Sequence, residues 1–148
     1  MTAGRNSRWI GCRLMGMINE LKITIPLNPV TKKNHSQLVR AKDGKQYMIP
    51  SKPYLRYEHD AGYWLGKYRN KTGFPIMDRV EITCVFYMRT RHRVDLTNLL
   101  GAIDDVLVHY GVIEDDNSQI VVSHDGSRVK YDRDNPRTEI TIRRVKNG

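Results

Sequence analysis

The segment Asp95–His109 carries the clearest structural pattern in the chain. At about 100° per residue of an α-helix, its main apolar side chains fall within an arc of about 120°: Leu96, Leu99, Leu100, Ile103, Val106 and Leu107. Such a stripe is typical of the core-facing side of an amphipathic helix. Asp95, Asn98 and Asp105 lie outside the stripe along one flank. The segment therefore predicts a helix that docks on a sheet and presents acidic groups to solvent.

Alternating apolar residues on both sides of this helix predict the strands of that sheet. We expect strands over Ile18–Leu27 and Val80–Met88 and, after the helix, over Ser118–Lys130 and Thr138–Val145. Another helix is expected over Ser51–Lys71, where apolar residues recur at helical spacing: Tyr54, Tyr57, Ala61, Leu65 and Tyr68. The order β-loop-α-β-α-β-β predicts one α/β (α+β) domain, with a mixed sheet and two main helices.

The polar segment Asn28–Lys45 forms the loop in that order. It contains the basic pair Lys32-Lys33 and the strong turn signal Asp43-Gly44. We therefore expect a hairpin or a mobile loop with a positive surface.

The chain carries a formal net charge of +9, which favours a polyanionic partner such as nucleic acid, although a merely soluble basic surface has the same composition. Periodic structure begins only after Met17. We therefore expect residues 1–17 to be disordered or a non-native extension, and 18–148 to form the domain. Three arginines lie in the extension, so six surplus charges remain without it: Arg5, Arg8 and Arg13.

The two cysteines and the apolar runs exclude several classes of protein. No run approaches the roughly 18 apolar residues of a membrane-spanning helix. Cys12 and Cys84 form no CxxC pair, which argues against a zinc ribbon or a redox motif. Cys84 lies in a strand pattern and is expected to pack as a small apolar side chain. These features favour a cytoplasmic protein.

Arginines alternate immediately before the helix, at Arg89, Arg91 and Arg93. If the preceding strand continues this far, all three face the same side and could clamp a phosphate. An ordinary edge strand protected from aggregation by positive charge is the alternative.

Two acidic features flank the apolar stripe. Asp95 suits either a helix N-cap or a metal ligand, since Asp fills both roles well. The run Glu114-Asp115-Asp116 follows the helix in a predicted turn, where acidic residues are also common for purely local reasons. If these carboxylates converge, they offer the oxygen ligands that Mg²⁺ prefers, and such a site can support phosphodiester cleavage.

Together these motifs resemble the RusA family of Holliday junction resolvases, of the phage or prophage type. The resemblance rests on Asp-Leu-x-Asn-Leu from Asp95, the internal acid of the helix, the Gly-Val-x-x-Asp-Asp pattern from Gly111, and Gln119-Ile120-Val121. It implies a compact α/β fold, a homodimer, Mg²⁺ or Mn²⁺ without a small-molecule cofactor, and paired nicking of four-way DNA junctions in recombination and repair.

The resemblance also implies roles for individual residues. Asp95 matches the first catalytic aspartate, Asn98 the neighbouring asparagine, and Asp105 an acidic position of the helix. Asp115 and Asp116 match the downstream acidic pair. We expect Asp116 to be the metal ligand, although one extra residue before Gln119 leaves the pair ambiguous by one place.

Two positions depart from the family pattern. Thr97 replaces a second aspartate, and Gly101 replaces a lysine. We expect Asp105 to supply the missing carboxylate, and one of three cations to supply the missing charge: Arg91, Arg93 or Lys130. The predicted catalytic set is therefore Asp95, Asp105 and Asp116.

The cations expected to contact DNA are Lys32, Lys33, Arg89, Arg91, Arg93 and Lys130. Two other functions fit the same features. The departures are compatible with a weakly active or non-catalytic protein that binds branched DNA, and the positive charge with an RNA-directed nuclease or toxin.

Overall fold

The structure is a computed structural model that describes residues 20–32 and 37–146. The expectation for residues 1–17 lies outside these ranges. The described strands are β1 (Glu20–Ile25), β2 (Gln37–Arg40), β3 (Gln46–Ile49), β4 (Val80–Met88), β5 (Val121–Ser123), β6 (Arg128–Tyr131) and β7 (Arg137–Arg144). The helices are α1 (Lys52–Leu65) and α2 (Leu96–His109). The predicted mixed α/β fold and the order of its elements are confirmed.

Strand β4 is the centre of a five-stranded mixed sheet. It pairs antiparallel with β7, and β7 pairs antiparallel with β1. On its other side, β4 pairs parallel with both β5 and β6. Strands β2 and β3 form a separate antiparallel hairpin, which confirms the hairpin alternative for the polar loop.

One face of the sheet and the apolar sides of both helices form the core. The alternation in β4 buries Val80, Ile82, Cys84 and Phe86, while β7 buries Ile140 and Ile142 on the same face. From α2, the core receives Leu99, Ile103, Val106 and Leu107 of the predicted stripe, whereas Leu96 and Leu100 are only half-buried. Ala102, outside the predicted stripe, is buried as well. Cys84 is free and fully buried, as expected of a small apolar side chain.

The predicted first helix is correct at its start and too long at its end. The Ser51 hydroxyl accepts the backbone N–H of Tyr54 at 3.2 Å and so caps α1. The helix ends at Leu65, and a 3-10 turn over Gly66–Tyr68 follows. Tyr68 still reaches the core, which is why the apolar spacing extends beyond the helix.

Two strand predictions need correction. Strand β4 ends at Met88, so Arg89, Arg91 and Arg93 lie in an irregular segment and do not share a strand face. The single strand expected over Ser118–Lys130 is two short strands that pair with different parts of β4. In the described ranges, no helix has the length and apolar character needed to cross a membrane.

Candidate active site

The carboxylate of Asp95 stands at the start of α2 without serving as its cap. Asp95 has extended backbone angles, φ −88° and ψ 124°, and occupies the N-cap position. Its backbone carbonyl accepts the N–H of Leu99 at 3.1 Å, but its side chain makes no capping hydrogen bond. Instead, the side-chain amide of Asn98 donates to Asp95 Oδ2 at 3.2 Å. Asp95 is exposed, so this carboxylate retains capacity to bind a ligand.

Asp105 lies near the other end of α2, in an ion pair. Lys32 Nζ is 3.0 Å from Asp105 Oδ2, and both side chains are partly exposed. The same ammonium lies 5.7 Å from the centre of the Tyr54 ring. Burial raises the pKa of Tyr54, and the charges of Glu58 and Asp105 raise it further. A cation predicted to contact DNA thus neutralises a carboxylate predicted to contact metal.

Asp104, next to Asp105, forms the most buried polar contact of α2. Asp104 Oδ2 lies 2.8 Å from Nε2 of His124, and Nδ1 of His124 lies 2.9 Å from the carbonyl oxygen of Ile82. Carbonyl and carboxylate oxygens accept hydrogen bonds, so both contacts form together when both ring nitrogens carry protons. The hydrogen bond to Asp104 is the main reason that the pKa of His124 is raised, against the opposing effect of burial.

The break between β5 and β6 is what places His124. β5 pairs with the first residues of β4 and β6 with its last ones, so residues between them leave the ladder. Side chains bridge this gap: Cys84 donates its N–H to Ser127 Oγ at 2.9 Å, and Thr83 donates its hydroxyl to the carbonyl of Asp125 at 2.9 Å. His124 therefore points from the sheet edge toward α2. The second carboxylate oxygen of Asp104, Oδ1, is buried and has no hydrogen-bond partner among residues 20–32 and 37–146.

Two neighbouring residues of the acidic turn, Asp115 and Asp116, make different interactions. Asp115 accepts the N–H of Asp116 at 2.8 Å and the side-chain amide of Asn117 at 2.8 Å. These hydrogen bonds lower the pKa of Asp115. The pKa of Asp116 is raised by desolvation, by its contact with Asp115 and by the charges of Asp104 and Asp105. Asp115 thus organises the turn, while Asp116 faces the carboxylates of α2.

The predicted acidic residues therefore form two groups. Asp95 and Asn98 lie at the start of α2, and Asp105 and Asp116 lie near its end. At 1.5 Å per residue, the ten residues from Asp95 to Asp105 correspond to about 15 Å along the helix axis. Over residues 20–32 and 37–146, no three His, Cys, Asp or Glu side chains converge as ligands for one metal ion.

Three of the predicted DNA-binding cations, Arg89, Arg91 and Arg93, lie in the segment between β4 and α2, and Lys130 lies on β6, which pairs with the end of β4. The backbone N–H of Arg89 donates to Asn28 Oδ1 at 3.0 Å and so ties Arg89 to the segment that follows β1. The Arg91 guanidinium lies 4.1 Å from the centre of the Tyr131 ring, and Lys130 lies 5.8 Å from that of Tyr87. Arg93 is exposed. Within the described ranges these four cations form no ion pair, whereas Lys33 lies outside them.

A comparison with protein families identifies this combination of fold and acidic helix. The family model of the endodeoxyribonuclease RusA matches residues 26–143, most of the chain. The chain belongs to the RusA endodeoxyribonuclease family. Membership implies Holliday junction resolution and binding of branched DNA. No individually curated protein matches the chain.

The two departures from the RusA pattern lie on a different flank of α2 from Asp95. Thr97 and Gly101 are both exposed. A side chain added at Gly101 meets no atom within 4 Å of its Cβ, so the position has room for a longer residue. Asp104 follows Thr97 and Gly101 at helical spacing, seven and three residues later. This flank leads from exposed positions at the helix start to the buried contact with His124.

Sequence reasoning missed Asp104 and His124. Asp104 lies about 40° from Leu100 around the helix, at the margin of the apolar stripe, which is a signal for a buried carboxylate. Its neighbour Asp105 matched the family pattern, so Asp105 and not Asp104 was predicted as a site residue. No spacing rule in the sequence joins Asp104 to His124, because their contact depends on the break between β5 and β6.

Proposed function

We propose that this chain is a metal-dependent endonuclease that resolves four-way DNA junctions by paired nicking, as a homodimer. The observation that carries the proposal is the Asp95 carboxylate, which lies exposed at the start of α2 and is not consumed by helix capping. RusA membership supports the choice of substrate. The buried free thiol of Cys84 is compatible with action in the reducing cytoplasm.

The donor chemistry fits Mg²⁺ or Mn²⁺. Magnesium binds proteins through one or two carboxylates and completes its shell with water and substrate phosphate. Asp95 offers such a carboxylate, and Asp116 offers another whose pKa is raised partly by the nearby charges of Asp104 and Asp105. Crowded carboxylates of this kind are stabilised by a cation. A bound ion would activate water and stabilise the leaving oxygen.

The residues of the chain would position both the ion and the DNA. Asn98 holds Asp95 through its amide and so orients the carboxylate. Arg91 and Arg93 would bind the phosphates beside the cut, because both are exposed next to Asp95 in sequence. Asp115 accepts two hydrogen bonds within its turn, which leaves Asp116 as the acidic ligand we favour from that pair.

The division of the acidic residues supports the homodimer. Asp95 and Asp116 belong to separate groups, so one chain does not gather three ligands within its described part. A two-fold dimer repeats both groups and can set the start of α2 in one subunit against the acidic turn of the other. It also matches the two equivalent strands of a four-way junction.

The test is incubation of the protein with a labelled four-way junction in Mg²⁺, in Mn²⁺ and in chelator. We expect two symmetric nicks with either metal and none with chelator. Sedimentation in parallel should show a dimer at micromolar concentration. Undiminished cutting in chelator, or paired cutting by a monomer, would contradict the proposal.

A weakly active or non-catalytic junction-binding protein is the second candidate. The Lys32 ammonium already occupies an oxygen of Asp105, the residue expected to compensate for Thr97. If this candidate is correct, the wild-type protein binds the junction in a metal-independent manner and cuts it slowly, and Thr97→Asp raises the rate. Competition by structured RNA separates both candidates from an RNA-directed nuclease.

A further inference from the structure

A groove runs along the exposed side of α1, and no residue of α2 lines it. One cavity of about 500 Å³ is lined by residues that include Asn28, Lys52, Arg56 and Arg89. A second, of about 550 Å³, is lined by residues that include Tyr63 and Trp64. Leu27 and Asp60 line both, so the two cavities join. We call this surface the α1 groove.

The first cavity of the α1 groove is strongly basic. Lys52, Arg56 and Arg89 are exposed, and none forms an ion pair with another described residue. Asn28 Oδ1 accepts the N–H of Arg89, so the side-chain amide nitrogen of Asn28 still has protons to donate. No acidic side chain lies in the first turn of α1, where the helix dipole favours anions. These groups suit the phosphates of a nucleic acid backbone.

The second cavity presents an aromatic platform. The Tyr63 side chain is 85% exposed, which is the highest value among the exposed large hydrophobic residues of the described chain. Its ring meets that of Trp64 edge to face, with centroids 5.0 Å apart and an interplanar angle of 75°. Trp64 is half-buried and packs against the core. An exposed aromatic ring next to a basic track is the arrangement that binds bases by stacking.

Residues on a single face of α1 line both cavities. Lys52, Arg56, Asp60 and Tyr63 follow one another at intervals of four, four and three residues and share one face of α1. Asp60, the acidic member, lies at the join of the two cavities and contacts His59 Nδ1 at 3.3 Å. It is therefore placed toward the aromatic half, where base edges carry donors that a carboxylate accepts.

We propose that the α1 groove binds a short unpaired segment of a DNA strand. Its phosphates lie against Lys52, Arg56 and Arg89, and a base stacks on Tyr63. The inference rests on the proposed function, because a branched substrate is what would present unpaired nucleotides to the protein. It adds a site that recognises strand character, separate from the carboxylates of α2.

The test measures binding of labelled single-stranded oligo(dT) to the full chain by fluorescence anisotropy. The titrations are made in chelator at a series of salt concentrations. Tyr63→Ala should weaken binding by about 5- to 150-fold, the usual cost of removing one stacking aromatic. Tyr63→Phe keeps the ring and should bind as the wild type does. The slope of log K against log salt is negative, and Arg56→Ala should make it shallower by about 0.7, the value for one phosphate of a single strand. Tyr63→Ala should leave that slope unchanged.

Lys22→Ala is the matched control for charge. Lys22 is exposed on β1, outside the groove, and its replacement should alter neither affinity nor slope. Wild-type affinity in Tyr63→Ala would overturn the inference, and so would an equal loss in Tyr63→Phe. Dissociation of a dimer by Tyr63→Ala would also overturn it, since the aromatic face would then be a subunit contact.

Junction cleavage in Mg²⁺, measured on the same protein preparations after the chelator is removed, separates this inference from the proposed function. Metal-dependent cutting by the wild type, combined with unaltered oligo(dT) binding in Tyr63→Ala, overturns the groove and leaves the nuclease. A wild type that never cuts, combined with the ring-dependent binding described above, overturns the nuclease and supports the groove.

Discussion

The two ends of α2 carry similar acidic residues in different electrostatic states. At the start, Asp95 receives a neutral amide hydrogen bond from Asn98 and remains exposed. Near the end, Asp104 contacts the ring of His124 at 2.8 Å, and Asp105 contacts the ammonium of Lys32 at 3.0 Å. In the described part of the chain, cationic side chains pair with the carboxylates near the end of α2, whereas none pairs with Asp95 where the helix begins.

This difference separates structural acids from an acid available for chemistry. A buried carboxylate without a partner is costly, so Asp104 is expected to stabilise the fold only together with His124. An exposed carboxylate has no such cost and can bind an external cation. The contrast therefore predicts that replacements near the end of α2 act mainly on stability and that replacement of Asp95 acts mainly on catalysis.

The largest effect is expected from Asp95→Asn. It should lower the rate of junction cleavage by at least about 100-fold, because a lost metal ligand removes several kcal/mol of transition-state stabilisation. Junction binding should be unchanged or tighter, since a negative charge near phosphate is removed. Stability should hold, because the side chain does not cap α2. Gel assays of binding and cleavage check this. Asp134→Asn, an equal charge change on an exposed turn, is the control. Full cleavage by Asp95→Asn would remove the distinction between the two ends.

His124→Ala should lower the free energy of unfolding by about 3 kcal/mol, because it leaves the buried Asp104 carboxylate unpaired. Urea titration of the metal-free protein measures this change. The double variant with Asp104→Ala should be less destabilised than the sum of the single variants, since the unpaired charge is gone. His59→Ala, at an exposed histidine, should leave the midpoint nearly unchanged. Strict additivity would show that the two residues stabilise the fold independently.

The same pair predicts a pH dependence of stability. The pKa of His124 in the folded chain is raised above its ordinary value of 6.5 by the hydrogen bond to Asp104. The folded state therefore binds this proton more tightly than the unfolded state does. The stabilisation is complete below pH 6.5 and is lost as the pH rises through the folded pKa. The difference in free energy of unfolding between wild type and His124→Asn should shrink over that window. A difference that grows with pH would mean that the histidine is neutral in the fold.

The smallest effect concerns Gly101, between the two ends. Gly101→Ala should raise the free energy of unfolding by up to about 1 kcal/mol, since glycine is a poor residue for a helix interior. The open space around the position accepts a side chain. Gly101→Lys should stabilise the fold to a similar extent. It should also speed cleavage, because it adds a cation on the flank of α2 that carries Thr97 and Gly101. Urea titration and cleavage assays separate the two effects. If Gly101→Ala and Gly101→Lys accelerate cleavage equally, the faster cleavage comes from greater stability and not from the added charge.

Much of the architecture followed from local patterns. The buried residues of α1 are those that recur at helical spacing, and four of the six stripe residues of α2 are buried as well. Strands β1, β4 and β7 bury alternate residues as expected. The turn signal Asp43-Gly44 lies between β2 and β3, where Gly44 has φ +83°. The ends of elements were less predictable. β4 ends at Met88 although alternation continues through the arginines, because alternating charge has no core to face.

The candidate site shows the same division more sharply. The pattern around Asp95 depends on neighbours in one helix, so the sequence predicted that the helix starts at this residue and that Asn98 lies on the same flank. Lys32 meets Asp105, and His124 meets Asp104, across 73 and 20 residues of chain. Such contacts depend on which strands pair with β4 and on where the pairing is interrupted. Local spacing in the sequence does not predict them. Sequence thus determined which acids the helix carries, while packing determined which of them are already neutralised, because charge compensation depends on distance in space.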